Sequence, residues 1–476
     1  MLSALFYGIN KVEKAKGAHA LKLPARASIY YFLAAALTKG IGILTTPIFT
    51  RILTPDGYGE YTLYMSWLGF LSLCVTALAS GSQGYAGLRR HSDKRAEYVS
   101  SLLGLTFGFC GTICILLFAF SAFLRLNFDL VLILSLQLFC DSVLAVSYMK
   151  SRYSYSFTKV CAISLTQAVL SPVIGLMLIR GAGLGYYGRI YGLLLSSLIV
   201  ALPTLGTLLS AHSSIYNRDI WRSLARRYLP LLPNVVSHAL SLQTDRFVIS
   251  AVMGVSALAK YSVAHSIGAA LSMIVTALGS AMNPWLVRKL AAGEERVVSA
   301  AIKRLLYIIG MASVLIVVLS PEAMELLAPE KYSDSLPAVP PLALVSLPSL
   351  VVSLSSVALI YNGNEGRVSL AATVTAVLGV ALGFILIPVF GYFGAGLAHL
   401  LAQTAGALII IIFLRRSKVK NIFDISSLLW AIALTLMLCA LAYAMREGLF
   451  VRGFAALAAL SIIAVQLFKS RDLIRE

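Results

Sequence analysis

The sequence predicts an all-α polytopic membrane protein of 14 transmembrane helices, two six-helix lobes related by pseudo-two-fold symmetry plus two C-terminal helices. Three observations carry that expectation. Hydrophobic residues make up 59% of 476 positions against 12% charged, and the mean hydropathy is +0.86, far outside the range of a water-soluble domain. Apolar runs of roughly 20 residues recur from Ser28 onward, the length a helix rising ~1.5 Å per residue needs to cross a ~30 Å hydrocarbon core. Short motifs also recur across the chain at a nearly constant offset. Because the runs are continuous rather than alternating, a barrel is excluded.

Residues 1–27 precede the first span. Leu2, Leu5, Phe6, Ile9 and Val12 fall at helical spacing among Lys11, Lys14 and Lys16, so residues 1–16 read either as a basic amphipathic helix in the cytoplasmic interface or as a frayed tail. The lysines follow too soon for a cleavable signal sequence.

The first lobe is expected over residues 28–210, with spans at 28–48, 60–81, 99–122, 129–149, 158–179 and 187–209. Span 1 carries Lys39 within "LAAALTKGIGILTTPIF", roughly 17 Å from its inner end and too deep to snorkel comfortably. A charge at mid-bilayer costs ~3 kcal/mol on insertion scales unless it meets a partner or water. Two readings of Lys39 stand together: a pair with Asp141 of span 4, and a cavity-facing amine that attracts an anionic substrate. Gly40, Gly42 and Pro47 loosen the helix directly after it and are hinge candidates. Arg51, in the outer turn with Pro55, Gly57 and Gly59, is either a bidentate phosphate clamp or an interfacial anchor.

The second lobe is expected over 211–415, with spans at 228–251, 258–281, 302–320, 339–360, 368–388 and 393–414. Its first helix, "YLPLLPNVVSHALSLQTDRF", holds Pro230, Pro233, Asn234, His238, Gln243, Asp245 and Arg246, a polarity that predicts a broken, cavity-lining helix. Asp245 and Arg246 point about 100° apart on a helix, so separate partners are expected. His238 and His265 titrate near neutral pH if solvated; a buried neutral imidazole bonded to backbone is the alternative. Residues 416–476 supply the last two spans, 426–445 and 450–468, and a tail. The acidic stretch Pro321 to Asp334 reads as a solvated rim, and all six cysteines fall inside spans as small apolar side chains, with no metal spacing.

Charge sets the orientation. Twenty-nine of the 39 Lys and Arg residues fall on the side of the N-terminus, nine on the other, and Lys39 lies between, which places both termini in the cytoplasm. The net charge of +19 follows from this asymmetry and from clusters such as Arg89 to Glu97 and Arg415 to Lys420 that favour anionic membrane lipids. No nucleic-acid partner is expected, since no soluble domain presents a groove.

The repeat pairs "VTALASG" (Val75 to Gly81) with "VTALGSA" (Val275 to Ala281), and Tyr61 with Tyr261, at an offset of 200. "GYYG" at Gly185 pairs with "GYFG" at Gly391 at an offset of 206. Both equal six helices, and an even number keeps the lobes in one orientation about an axis along the membrane normal. Such an architecture implies a cavity opened to alternate sides.

"LTKGIGILTTPIFTRILTPDGYGEY" and "LPNVVSHALSLQTDRFVISAVMGVSALAKYSVAHSIG" resemble the starts of the two lobes of bacterial polysaccharide flippases of the multidrug/oligosaccharidyl-lipid/polysaccharide exporter superfamily. The likeness runs over roughly residues 28–415. It implies alternating-access movement of undecaprenyl-pyrophosphate-linked oligosaccharide to the outer leaflet of the bacterial cytoplasmic (inner) membrane, for O-antigen or exopolysaccharide assembly. Polysaccharide polymerase and export proteins are the partners it implies. It also implies pyrophosphate-binding roles for Lys39, Arg51 and Arg246. Many relatives stop at twelve helices, and the additional pair resembles the lipid II flippase branch.

Asn234 and His238 join these cations as candidate substrate-binding residues; Asp141, Asp245 and His265 are candidates for ion coupling or charge pairing; Gly40, Gly42, Pro47, Pro230 and Pro233 are the hinge set. No Gly-Lys dipeptide occurs, so a Walker A loop is absent and no cofactor is expected. A cation-coupled multidrug antiporter of the same fold wants acidic cavity residues, which Asp141 supplies and Lys39 opposes. A polymerase or glycosyltransferase needs paired carboxylates or a sizeable catalytic loop, and the only acidic loop is about 14 residues long.

Overall fold

The computed structural model describes residues 19–121, 127–210, 214–417, 423, 425–444, 456–457 and 459–461. The amphipathic segment expected at 1–16, and most of the span expected at 450–468, lie outside them. Among the described residues all regular structure is helical.

The chain divides into two compact units at Gln243/Thr244. The division falls inside the seventh expected span, beyond the 210/211 boundary drawn from the loops. The first unit contains α1 (His19–Ile52), α2 (Pro55–Ser80), α3 (Ser82–Arg90), α4 (Arg95–Phe120), α5 (Phe128–Tyr153), α6 (Phe157–Ala182), α7 (Gly185–Leu209), α8 (Arg218–Tyr228) and α9 (Leu232–Ser241). Its cores gather the apolar faces of α2, α4, α5 and α7, with Val75, Leu102, Leu138 and Ile190 fully covered. Local chemistry fixes the ends of these helices. Thr54 accepts the Gly57 amide at 3.1 Å and Pro55 opens α2, so the turn after α1 is both capped and pre-set in φ. Helices α6 and α7 pack backbone to backbone because Gly192 lies against Gly175 and the Ser171 carbonyl.

The second unit holds α10 (Thr244–Met253), α11 (Val255–Gly268), α12 (Ala270–Ala291), α13 (Glu295–Val318), α14 (Ser320–Leu327), α15 (Val339–Leu344), α16 (Ser346–Tyr361), α17 (Glu365–Arg415) and α18 (Ile425–Ala444). Leu347, Leu350, Val351, Leu354, Ala407 and Ile411 form its main core. The two spans expected at 368–388 and 393–414 lie in the 51-residue α17, which kinks at Gly391 (φ 55°), a left-handed conformation that glycine adopts without a Cβ penalty. The acidic rim is both solvated and folded: Glu322, Glu325, Glu330 and Asp334 are exposed, while Tyr332 is fully buried and the Ser335 hydroxyl donates to the Lys260 carbonyl.

Among the described residues nine helices are long and apolar enough to cross a membrane, or ten when Val255–Gly268 and Ala270–Thr276, bent by 45°, count as one span. The difference from fourteen has identifiable sources. The seventh span is cut into short pieces, the eighth is bent, α17 merges two, and the last two expected spans are only partly covered by the described residues.

Candidate functional site

In the first unit, α1 runs unbroken through Gly40, Gly42 and Pro47. The hydroxyls of Thr45 and Thr46 both donate back to the Gly42 carbonyl at 3.0 Å, and a Cβ on either glycine would meet open space. Lys39 is exposed on this helix, within the span Leu33–Ile52, of which only 17% is buried. No ion pair to Lys39 occurs among the described residues, so the pairing with Asp141 weighed from sequence is not formed. An ammonium at that depth is stable where water or an anion reaches it and costly against acyl chains. Arg51, also exposed, donates from Nη1 to the Pro47 carbonyl at 3.1 Å.

Asp141 instead sits in a network of neutral donors. Ser72 Oγ of α2 donates to its Oδ2 at 2.7 Å, and Gln137 Nε2, one turn earlier on α5, donates to Oδ1 at 3.1 Å. Gln137 reaches Ser197 of α7 at 2.8 Å, and Gln167 of α6 reaches the same hydroxyl at 2.6 Å. Four helices are thereby tied by side chains inside one unit, around a carboxylate with no cationic partner among the described residues.

The seventh span is broken where proline predicts. Pro230 lies in a 3₁₀ turn, Leu229–Leu231, and Pro233 in the first turn of α9. Asn234 and His238, one turn apart on α9, share a face, half-buried and exposed respectively. Helix α9 packs on α2, close enough that a Cβ at Gly69 would meet the Gln243 amide at 2.6 Å.

The second unit gathers charge most densely. Asp245 is 5% exposed. Its Oδ2 accepts the Tyr261 hydroxyl at 2.7 Å and lies 3.7 Å from both His265 Nε2 and His399 Nδ1. Its Oδ1 accepts the Arg246 amide at 3.0 Å, while the Arg246 guanidinium comes within 3.4 Å of His265 Nδ1. The separate partners expected for Asp245 and Arg246 are thus the two sides of one cluster: Asp245 takes the imidazoles and the phenol, and Arg246 turns to His265. A buried carboxylate among two imidazoles and a phenol has the groups needed to hold or pass a proton.

Neither His399 nor Arg189 is among the candidates that the sequence offers. His399 lies deep in α17, eight residues after the glycine kink, where no local pattern marks it. Arg189 of α7, 9% exposed, donates to Ser171 Oγ at 2.7 Å, with its guanidinium 4.5 Å from the Phe49 ring centroid and 5.1 Å from that of Tyr61. Its signal in the sequence is the glycine echo "GYYG", which it directly follows.

The chain matches the model of a family described as polysaccharide biosynthesis protein over residues 48–337. It belongs to that family. Its fold is shared with solved transporters of the multidrug/oligosaccharidyl-lipid/polysaccharide exporter (MOP) superfamily. It resembles the lipid II flippase MurJ in an inward closed conformation, with a TM-score of 0.70 at 14% identity over 94% of this chain and 99% of that one. A multidrug resistance MATE family transporter of the MOP superfamily, inward-facing, gives 0.63 at 16% identity over 84% and 95%. A MOP superfamily transporter from Pyrococcus furiosus, described by the reverse polarity of its binding pocket, gives 0.59 at 16% identity over 88% and 96%. No curated protein matches at the level of sequence. This polysaccharide biosynthesis family member is therefore a multi-pass membrane protein whose structural neighbours are transporters and flippases rather than enzymes. Its two charged centres lie one in each unit, Asp141 with neutral donors and Asp245 with imidazoles.

Proposed function

We propose that this chain is a flippase that carries undecaprenyl-pyrophosphate-linked oligosaccharide across the bacterial cytoplasmic membrane by alternating access, feeding assembly of a surface polysaccharide. The observation that carries this reading is Lys39, an exposed amine in a membrane span with no acid partner among the described residues. Pyrophosphate oxygens supply the counter-charge that no described residue does. The family match to polysaccharide biosynthesis supports the glycan part of the substrate. In this reading the lobes are 28–210 and 211–415 and both termini are cytoplasmic. Arg51, Asn234 and His238 of the first unit and, separately, Arg246 of the second are the further substrate-binding residues of this reading, and Asp245, with His265 and His399, couples transport to a cation gradient.

The test is complementation of a deletion strain. Loss of the protein is expected to leave lipid-linked repeat units in the cytoplasmic leaflet, with wild type and Lys39→Arg restoring export and Lys39→Ala failing at equal membrane abundance. Full rescue by Lys39→Ala removes the reading's main residue.

Asp141 favours a second reading. Among the described residues its carboxylate has only neutral donors, as a site for a cationic drug requires. An antiporter predicts that the deletion is sensitised to cationic dyes while its lipid intermediates stay normal.

A further inference from the structure

Helix α8, "RDIWRSLARRY", plays no part in the reading above, and it is built with two unlike faces. Ile220, Leu224 and Tyr228 are buried. The inner face is pinned by hydrogen bonds as well: Trp221 Nε1 donates to the Ser101 carbonyl at 2.9 Å, and the Tyr228 hydroxyl donates to the Cys74 carbonyl at 2.8 Å. Asn217 caps the helix, accepting the amides of Asp219 and Ile220, and its Nδ2 donates to Glu97 at 2.8 Å. Its rotation about its own axis is therefore set.

That rotation leaves Arg218, Arg222 and Arg226 in a stripe at successive four-residue steps, with Arg227 beside them, all exposed. Among the described residues no ion pair reaches Arg222, Arg226 or Arg227, and Asp219 is the only acid on the helix. Like charges one turn apart destabilise a helix, so the stripe is relieved by an anion. Between these side chains lies an open cleft of about 410 Å³, lined by Asp219, Arg222, Ser223, Arg226 and Arg227. It offers fork-shaped donors and one hydroxyl, the chemistry that grips a phosphate.

Flanking residues identify the source of that phosphate. Ile215, Tyr216 and Leu229, at the two ends of the helix, are 47%, 60% and 59% exposed. Large apolar side chains on both sides of a basic stripe match a helix lying at a membrane surface, with arginines at headgroup level and apolar flanks at the acyl boundary. We propose that the arginine face of α8 binds the phosphate of an anionic phospholipid headgroup. The inference depends on the chain being a membrane protein and not on which substrate it moves. Because α8 passes through Leu229–Leu231 directly into α9, an occupied site fixes the start of the broken seventh span.

The test uses the full-length protein in neutral detergent, with bound lipid counted by native mass spectrometry and folding checked by gel filtration. Phosphatidylglycerol is expected to bind, phosphatidylcholine not. Each arginine among Arg222, Arg226 and Arg227 changed to Gln should weaken binding about five-fold, reaching ~100-fold for the triple variant, from the typical contribution of a basic side chain at an anionic surface. The triple Arg→Lys variant should keep most of the affinity. Wild-type affinity in the triple Gln variant overturns the proposal. So does an equal loss in Arg89→Gln/Arg90→Gln, which would mean a diffuse positive field, or displacement of the lipid by millimolar inorganic phosphate, which would mean a free-anion site.

Discussion

Replacing Asp245 by Asn removes the anion from the most charged place in the second unit. The carboxylate has a phenol at 2.7 Å and two imidazole nitrogens at 3.7 Å, and the Arg246 guanidinium stands one imidazole away. Asn keeps the volume and can still accept the Tyr261 proton on one atom, so packing is nearly preserved. What changes is that Arg246 and any protonated imidazole lose their counter-charge in a site whose carboxylate side chain is only 4% exposed. Breaking a buried pair from one side typically costs ~3–5 kcal/mol, more than the ~1.5–3 kcal/mol of one hydrogen bond to a charged group. Two comparisons separate these terms. Tyr261→Phe removes only the hydrogen bond and should cost the smaller amount. Asp245→Asn with Arg246→Gln removes both charges and should regain more than half of the loss. The assay is apparent melting temperature in detergent, followed by loss of the monodisperse peak on gel filtration. If Asp245→Asn melts with wild type, the cluster carries no net charge pairing; if the double variant is worse than the single, Arg246 is not the stranded cation.

Two further predictions concern the first unit. At Gly192 a Cβ would stand 2.5 Å from the Gly175 amide nitrogen and 2.7 Å from the Ser171 carbonyl, both backbone, so Gly192→Ala must push α6 and α7 apart. A loss of ~1–3 kcal/mol is expected, read as a lower melting temperature, and a wild-type melt refutes the close approach. Arg189→Lys keeps the charge but loses the planar group between Phe49 and Tyr61 and the bond to Ser171; it should cost ~1–2 kcal/mol in the same melt, and an unchanged melting temperature refutes the aromatic sandwich.

The helical membrane fold was legible because hydropathy is summed over ~20 residues, and no single side chain decides it. The break in the seventh span was legible for the opposite reason: Pro230 and Pro233 each remove a backbone donor, a local effect that tertiary packing does not repair. Pairings between helices were not. Asp141 chose Ser72 and Gln137 over Lys39 because α2 and α5 pack together, a fact about helix rotation that spacing along one strand of sequence does not contain. The i, i+4 relation of Gln137 and Asp141 was readable in principle; that of Asp245 and His399, 154 residues apart (399 − 245), was not.

The offset of 200 residues between Tyr61 and Tyr261 gains a structural counterpart when each unit is taken by itself. Tyr61, on the second helix of its lobe, meets a cation on the sixth, Arg189, beside Phe49 of the first. Tyr261, on the second helix of its own lobe, bonds Asp245 of the first, which is 3.7 Å from His399 of the sixth. The same three helices converge in both places, yet one slot is closed by aromatic faces around a permanent cation and the other by imidazoles around a carboxylate. Arginine stays charged throughout the physiological range. The first slot, with two aromatic faces and a hydroxyl against the guanidinium, is suited to holding helices together. The two slots share their helices but not their residues: at the offset of 206 that pairs Gly185 with Gly391, Arg189 corresponds to Ala395, so the charged groups of each unit stand at positions of their own.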